Sequence, residues 1–137
     1  MTRAPIRWGL LPLVFAGGAL GVGLRAGLML SFPPGFTFTA LVATIGVNAV
    51  GSALLGFIVA GLGDTHPRRR AFLGTGVMGG FTTYSGFAVL LGELTGSGLV
   101  LYAALFAGAA LLAAGVGAIL GLQAGAALAR RRQGSVA

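Results

Sequence analysis

Gly79-Gly80-Phe81-Thr82-Thr83-Tyr84-Ser85-Gly86-Phe87 lies in the middle of an apolar run that extends from residue 71 to residue 92. Paired glycines, paired threonines, a serine and a further glycine are weak helix formers. The stretch therefore predicts an interruption in an otherwise helical segment. Backbone groups freed at membrane depth are tolerated only where protein buries them or where they line a wet cavity. Breaks of this kind often build ion sites, with exposed carbonyls facing a cation. The ring edges of Phe81, Tyr84 and Phe87 carry partial positive charge and are suited to an anion. A kinked helix packed through its small residues is the plainer alternative.

Working outward, three more apolar runs cover residues 8–30, 38–62 and 99–128, beside 71–92. Each exceeds the roughly 20 residues that cross a hydrocarbon core. The connections contain Pro33-Pro34-Gly35, then Gly63 to Pro67 followed by Arg68-Arg69-Arg70, then Glu93 to Gly98. Short connections make successive helices antiparallel. The chain is 56% hydrophobic and 8% charged, against about a quarter charged in soluble domains. The expected fold is an all-α membrane protein: one domain over residues 1–137, four transmembrane helices, and a break in the third. The first run is too long for the core of a signal peptide, about 7–15 residues, and no small-x-small cleavage site follows it. It reads as a retained helix.

The 26 glycines point to close helix packing, because small residues let backbones approach. Gly17/Gly21, Gly23/Gly27 and Gly117/Gly121/Gly125 have the small-xxx-small spacing. That spacing serves packing within one subunit as well as packing between subunits.

The net charge of +7 comes from nine arginines, with no lysine. Arg3, Arg7, Arg68 to Arg70 and Arg130 to Arg132 fall on one side of the predicted membrane, and only Arg25 falls towards the other. Basic residues at the ends of apolar runs are topology signals and mark the cytoplasmic side, so both termini are expected inside. This pattern argues against nucleic-acid binding, which needs a basic face on a soluble module. No cysteine is present, which excludes disulfides and thiol chemistry.

Asp64 and Glu93 are the only acids, and both fall in connections or at helix ends. Proton-coupled transport needs an ionisable group within the bundle; the first helix has no acid, which weighs against a small multidrug transporter. His66 sits in a basic loop beside Pro67, where exposure to solvent is its ordinary state. Nothing supports an enzyme. What remains at membrane depth is uncharged. Thr44 and Asn48 share one face of the second helix, one turn apart. A buried amide needs a partner, so Asn48 is either helix-to-helix glue or a pore donor.

At these residues the chain resembles the CrcB/Fluc family of fluoride channels. The family's third helix carries a motif of the type Gly-Gly-x-Thr-Thr-Phe-Ser-Thr-Phe, matched here by residues 79–87. Its second helix carries Gly-Thr-x-x-Val-Asn-x-x-Gly-Ser, matched with one change by Ala43-Thr44-Ile45-Gly46-Val47-Asn48-Ala49-Val50-Gly51-Ser52. A Gly-rich first helix ending in Arg25 also matches. The resemblance implies an antiparallel dimer in a bacterial plasma membrane, with fluoride passing at the subunit interface. By the same resemblance, Asn48 donates its amide N–H to the anion, and Tyr84 and Phe87 offer ring edges. Thr44, Thr83 and Ser85 supply hydroxyls. The carbonyls of Gly79 and Thr82 hold a central sodium ion shared by both subunits. For Arg25, snorkelling to the outer interface is an adequate role.

The chain departs from the family pattern at several places. Tyr84 stands where the family has Phe and Gly86 where it has Thr. Ala88, Val89 and Leu90 replace polar positions, and residues 99–122 contain no Ser, Thr or Asn. An antiparallel homodimer needs a chain that inserts both ways, whereas the arginines divide eight against one. A heterodimer with an oppositely oriented paralogue is therefore the expectation beside the homodimer. A non-conducting accessory subunit is the competing reading.

Overall fold

A computed structural model describes residues 8–32 and 37–134 of the chain. Every regular element among the described residues is helical. A 3₁₀ turn at Trp8–Leu10 leads into α1, Leu11–Met29, which has a proline in its first turn. Proline is preorganised for that position, where its missing N–H has no helical partner to lose. α2 is Phe38–Leu62, with Thr37 accepting a 3.1 Å bond from the Ala40 N–H as its cap. α3 covers residues 67–81: α-helical at Pro67–Arg69, wound as the wider π-helix at Arg70–Met78, then α-helical at Gly79–Phe81. α4 is Ser85–Gly96 and α5 is Val100–Gly134. Gly63 and Gly98 close α2 and α4 with φ of 53° and 77°, a region glycine enters without steric cost.

Among the described residues, three helices are long and apolar enough to cross a membrane: Trp8–Met29, Phe38–Leu62 and Val100–Arg132. The α3 and α4 rods are each too short to do so alone. The boundaries differ from expectation around them. Pro67 to Arg70 belong to α3 rather than to a loop, since proline starts helices and arginine propagates them. Glu93 to Gly96 complete the last turn of α4. α5 runs to residue 134, about 52 Å of helix, which exceeds the roughly 30 Å hydrocarbon core. The break read at Pro33-Pro34-Gly35, and Arg3 and Arg7, lie outside the described residues.

Two helix pairs build the bundle, and glycine decides both. α1 and α3 run parallel, with Gly17 and Gly21 against Gly76 and Gly80. A Cβ on Gly76 would lie 2.9 Å from the Gly17 Cα, and one on Gly80 would strike the Gly18 carbonyl. α2 and α5 also run parallel. A Cβ on Gly117, Gly121 or Gly125 would run into the carbonyls of Ala49, Ala53 or Phe57. Two of the three small-residue spacings therefore serve contacts within the chain. Gly23 and Gly27 have nothing within 4 Å of where a Cβ would sit.

α2 joins the pairs. At its start Leu41 packs with Leu94 of α4 and Ala103 of α5, and Phe38 meets Phe106 edge-on at 5.8 Å. At its far end Leu55 and Ile58 approach Gly74 of α3. The α3 and α4 rods thus lie end to end along α2, antiparallel to it. They cover the stretch from residue 41 to residue 58, about 26 Å of helix.

Candidate functional site

Phe81 ends α3, Thr82 turns extended at φ −75° and ψ 152°, and a new helix starts at Ser85. Local capping and one distant side chain together hold this interruption. The Thr82 N–H and hydroxyl both bind the Met78 carbonyl, at 3.0 and 2.9 Å, closing the end of α3. The Thr83 hydroxyl accepts a 3.1 Å bond from the Gly86 N–H, capping α4. From α2, Asn48 Nδ2 donates to the Thr83 carbonyl at 2.9 Å, while the Thr83 N–H donates to Asn48 Oδ1 at 2.8 Å. In a continuous helix that N–H would bind the Gly79 carbonyl. Asn48 takes it instead, which releases the Gly79 carbonyl from the ladder.

The interruption is central in the bundle. Asn48 lies two residues from the midpoint of α2, and a Cβ on Gly51 would strike the Thr82 methyl. Beside it opens a groove of about 320 Å³. Asn48, Ser52 and Leu55 line it from α2, Thr82 to Tyr84 from the break, Phe87 from α4, and Ala110, Leu111 and Ala114 from α5. Its walls are largely hydrocarbon, and its polar groups are uncharged. An amide group carries two N–H bonds. One of Asn48's is spent on Thr83, which leaves the other.

The structure gathers Asn48, Thr82, Thr83, Tyr84 and Phe87 around this groove. Ser85 stands beside it, with its hydroxyl 3.4 Å from that of Thr83, and is exposed. Tyr84 is 83% exposed. Thr44 does not line the groove: it is buried, and its hydroxyl donates to the Ala40 carbonyl of its own helix at 2.8 Å. Gly79 lies one turn before the break.

Arg25 is deeper than its position near the end of α1 implied. One turn before it, Gly21 packs on Val77 and Phe81. Three residues after it, Leu28 shares an apolar pocket with Gly46, Val47 and Phe81. That depth is within about one turn of the α2 midpoint. The Arg25 Nε is buried with no hydrogen-bond partner among the described residues, so this part of the side chain does not reach water.

Sequence reasoning missed Ser52. It lies one turn from Asn48 and faces the same groove. Unlike Thr44 and Thr82, it does not return its hydroxyl to its own helix, and it bonds to no described group. The i,i+4 spacing that paired Thr44 with Asn48 pairs Asn48 with Ser52 equally well. That spacing was the available signal.

A family model described as "CrcB-like protein, Camphor Resistance (CrcB)" matches residues 12–122 of the chain. The chain belongs to the CrcB family. A relative from Leifsonia xyli subsp. xyli, named fluoride-specific ion channel FluC 2, is 41% identical over 132 residues, covering 88% of this chain and 86% of the relative. One from Cereibacter sphaeroides, named fluoride-specific ion channel FluC, is 42% identical over 121 residues, covering 81% of this chain and 94% of the relative. One from Sphingopyxis alaskensis with the same name is 37% identical, covering 78% and 90%. With three helices apolar enough to cross a membrane among its described residues, the protein is a multi-pass membrane protein, and both motif-bearing regions fall inside the matched residues.

Proposed function

We propose that this chain conducts fluoride passively across a bacterial plasma membrane and performs no enzymatic chemistry. The observation that carries the reading is the Asn48–Thr83 pair. It fixes an uncharged amide beside a helix break at the centre of the bundle, with one N–H left over and a groove in front of it. A small, strongly hydrated anion must exchange water donors for protein donors to cross. Neutral donors do this without a fixed negative or strongly trapping positive group, and conduction needs binding weak enough for release. Asn48 and Ser52 supply donors from α2, Thr83 and Ser85 from the break, and Thr44 lies one turn further along α2. Tyr84 and Phe87 supply ring edges.

In this reading α3 and α4 together make the fourth crossing, with the break at mid-bilayer. Their end-to-end course beside α2 supports it. Two features favour a dimer. Tyr84 and Ser85 are polar, exposed and level with Asn48, a depth at which lipid offers them no partner. An opposed subunit would cover both.

The break also fits a central sodium ion. The carbonyl of Gly79 is released by Asn48, and Thr82 turns out of the helix, so the two offer hard oxygen donors without a carboxylate. Such an ion would place positive charge near the path and lower the cost of bringing an anion into low dielectric. Arg25, within about a turn of the same depth, adds a fixed positive charge.

Orientation follows from arginine. α5 ends beyond the Gly61 end of α2, and α3 begins there, so Arg68 to Arg70 and Arg130 to Arg132 share one end of the bundle. That end, with both termini, is cytoplasmic. The bias favours a heterodimer with an opposed paralogue over an antiparallel homodimer.

Fluoride efflux from liposomes holding the purified chain and any partner that co-purifies with it tests the function, with chloride as the control anion. Fluoride-selective efflux is expected. Efflux no faster than from empty vesicles overturns the reading.

A further inference from the structure

The cytoplasmic end of the α1–α3 pair carries more arginine than the described side-chain carboxylates balance. The chain's two acids are Asp64 and Glu93. Asp64 is taken by Arg70 at 2.7 Å. Glu93 lies in the last turn of α4, beside the start of α2, at the opposite end of the bundle. Among the described residues no other side-chain carboxylate lies at this end for Arg68 and Arg69, which are exposed in the first turn of α3. Directly beneath them a groove of about 510 Å³ runs between α1 and α3, walled by Leu13, Phe72 and Leu73. One groove is therefore lined by two arginine side chains and three hydrocarbon ones.

The depth of this opening is fixed independently. α1 and α3 run parallel, so Trp8 lies at the same end as Arg68, and it is largely exposed. Tryptophan concentrates where membrane meets water. The arginines thus stand at headgroup level and the groove descends into the acyl region.

We infer that the α1–α3 groove is a binding site for an anionic phospholipid, with its phosphate on Arg68 and Arg69 and one acyl chain along Leu13, Phe72 and Leu73. Guanidinium groups pair with phosphate oxygens in bidentate fashion, and basic pockets between membrane helices on the cytoplasmic side suit anionic headgroups. The inference rests on membrane placement alone and is independent of the ion conducted.

Trp8 is the only tryptophan of the chain, which makes it a clean reporter. The full chain is reconstituted in phosphatidylcholine vesicles in which a small fraction of either phosphatidylglycerol or phosphatidylcholine bears brominated acyl chains. At equal mole fraction the brominated phosphatidylglycerol should quench Trp8 more strongly. Each basic side chain contributes about fivefold at an anionic surface, so the relative association should favour it on the order of 25-fold. The double variant Arg68→Gln/Arg69→Gln should lose this preference, while Arg130→Gln/Arg131→Gln, with the same loss of charge at the same end, should keep it. Equal quenching by the two lipids in the unaltered chain overturns the proposal without reference to any variant. Equal loss in the two double variants overturns it in favour of diffuse attraction. Displacement by millimolar inorganic phosphate overturns it in favour of a soluble-anion site.

Discussion

Asn48 on α2 and the Thr83 peptide on the α3–α4 break exchange two hydrogen bonds, at 2.9 and 2.8 Å. One amide side chain thus satisfies both polar groups of a peptide that has left its helix. From sequence, glue and pore lining were alternatives for Asn48, but the geometry lets it do both. Replacement by Ile or Ala would therefore stop conduction on either reading and would not separate them. Asn48→Ala should destabilise the folded protein by about 1–3 kcal/mol, the cost of stranding the Thr83 peptide, and reduce fluoride flux beyond detection. Thermal unfolding in detergent and vesicle efflux, run together, check both. An unchanged melting temperature would mean that the pair does not hold the break.

Ser52 separates the two roles. It lines the groove and its hydroxyl bonds to no described group, so removing it strands nothing. Ser52→Ala should leave the melting temperature unchanged and lower fluoride flux about fivefold, the effect of one neutral hydrogen bond of about 1 kcal/mol. Wild-type flux in this variant would remove Ser52 from the path.

The reach of the sequence follows from the kind of force involved. Apolar length marked the helical runs because hydrocarbon thickness sets it, and the depletion of charge identified the solvent. Of the weak helix formers read in residues 79–87, Thr82 and Thr83 stand at the interruption, but the paired glycines do not. Gly79 and Gly80 remain helical, and Gly80 is small because Gly18 and Val22 of α1 press against it. The helix stops two residues later, where Asn48, 35 residues away in sequence, captures the Thr83 N–H. No local propensity encodes that bond. Nor did composition reveal the π-helical stretch Arg70–Met78, which is set by backbone pairing along the helix, or the depth of Arg25, which depends on how far α1 slides along α3.

The glycine seams give a prediction about stability alone. A Cβ at Gly121 would collide with the Ala53 carbonyl, whereas one at Gly115 on the same helix meets nothing within 4 Å. Gly121→Ala should force α5 away from α2 and cost about 1–3 kcal/mol. Gly115→Ala should be neutral or stabilise by up to about 1 kcal/mol through helix propensity. Unfolding monitored by circular dichroism should rank the two variants in that order. Equal stability would mean that the α2–α5 pair is not seated on its glycines.

Topology mapping addresses the partner. With its arginines concentrated at one end, the chain expressed alone should show a single orientation, and fusions to either terminus should report only the cytoplasm. Arg68→Gln/Arg69→Gln/Arg70→Gln should weaken that bias and produce a mixed population. Dual insertion of the unaltered chain, with fluoride flux from the single gene product, would replace the heterodimer with an antiparallel homodimer.

Tyr84 tests how an aromatic ring serves an anion. It stands at the break, beside the groove and exposed. If the anion meets the positive ring edge, the ring is required and the hydroxyl is not. Tyr84→Phe should conduct at least as well as the native chain, since it removes a group that narrows the path. Tyr84→Ile keeps comparable apolar bulk but has no ring quadrupole, and should lose flux by about tenfold, the equivalent of roughly 1.4 kcal/mol in a barrier. If the hydroxyl is instead the working donor, the order reverses and Tyr84→Phe fails as badly as Tyr84→Ile. Efflux rates of the two variants at matched protein density distinguish these outcomes. Because the Tyr84 side chain makes no hydrogen bond to a described group, and its carbonyl bond to the Ala88 N–H survives either substitution, differences in stability should not obscure the comparison.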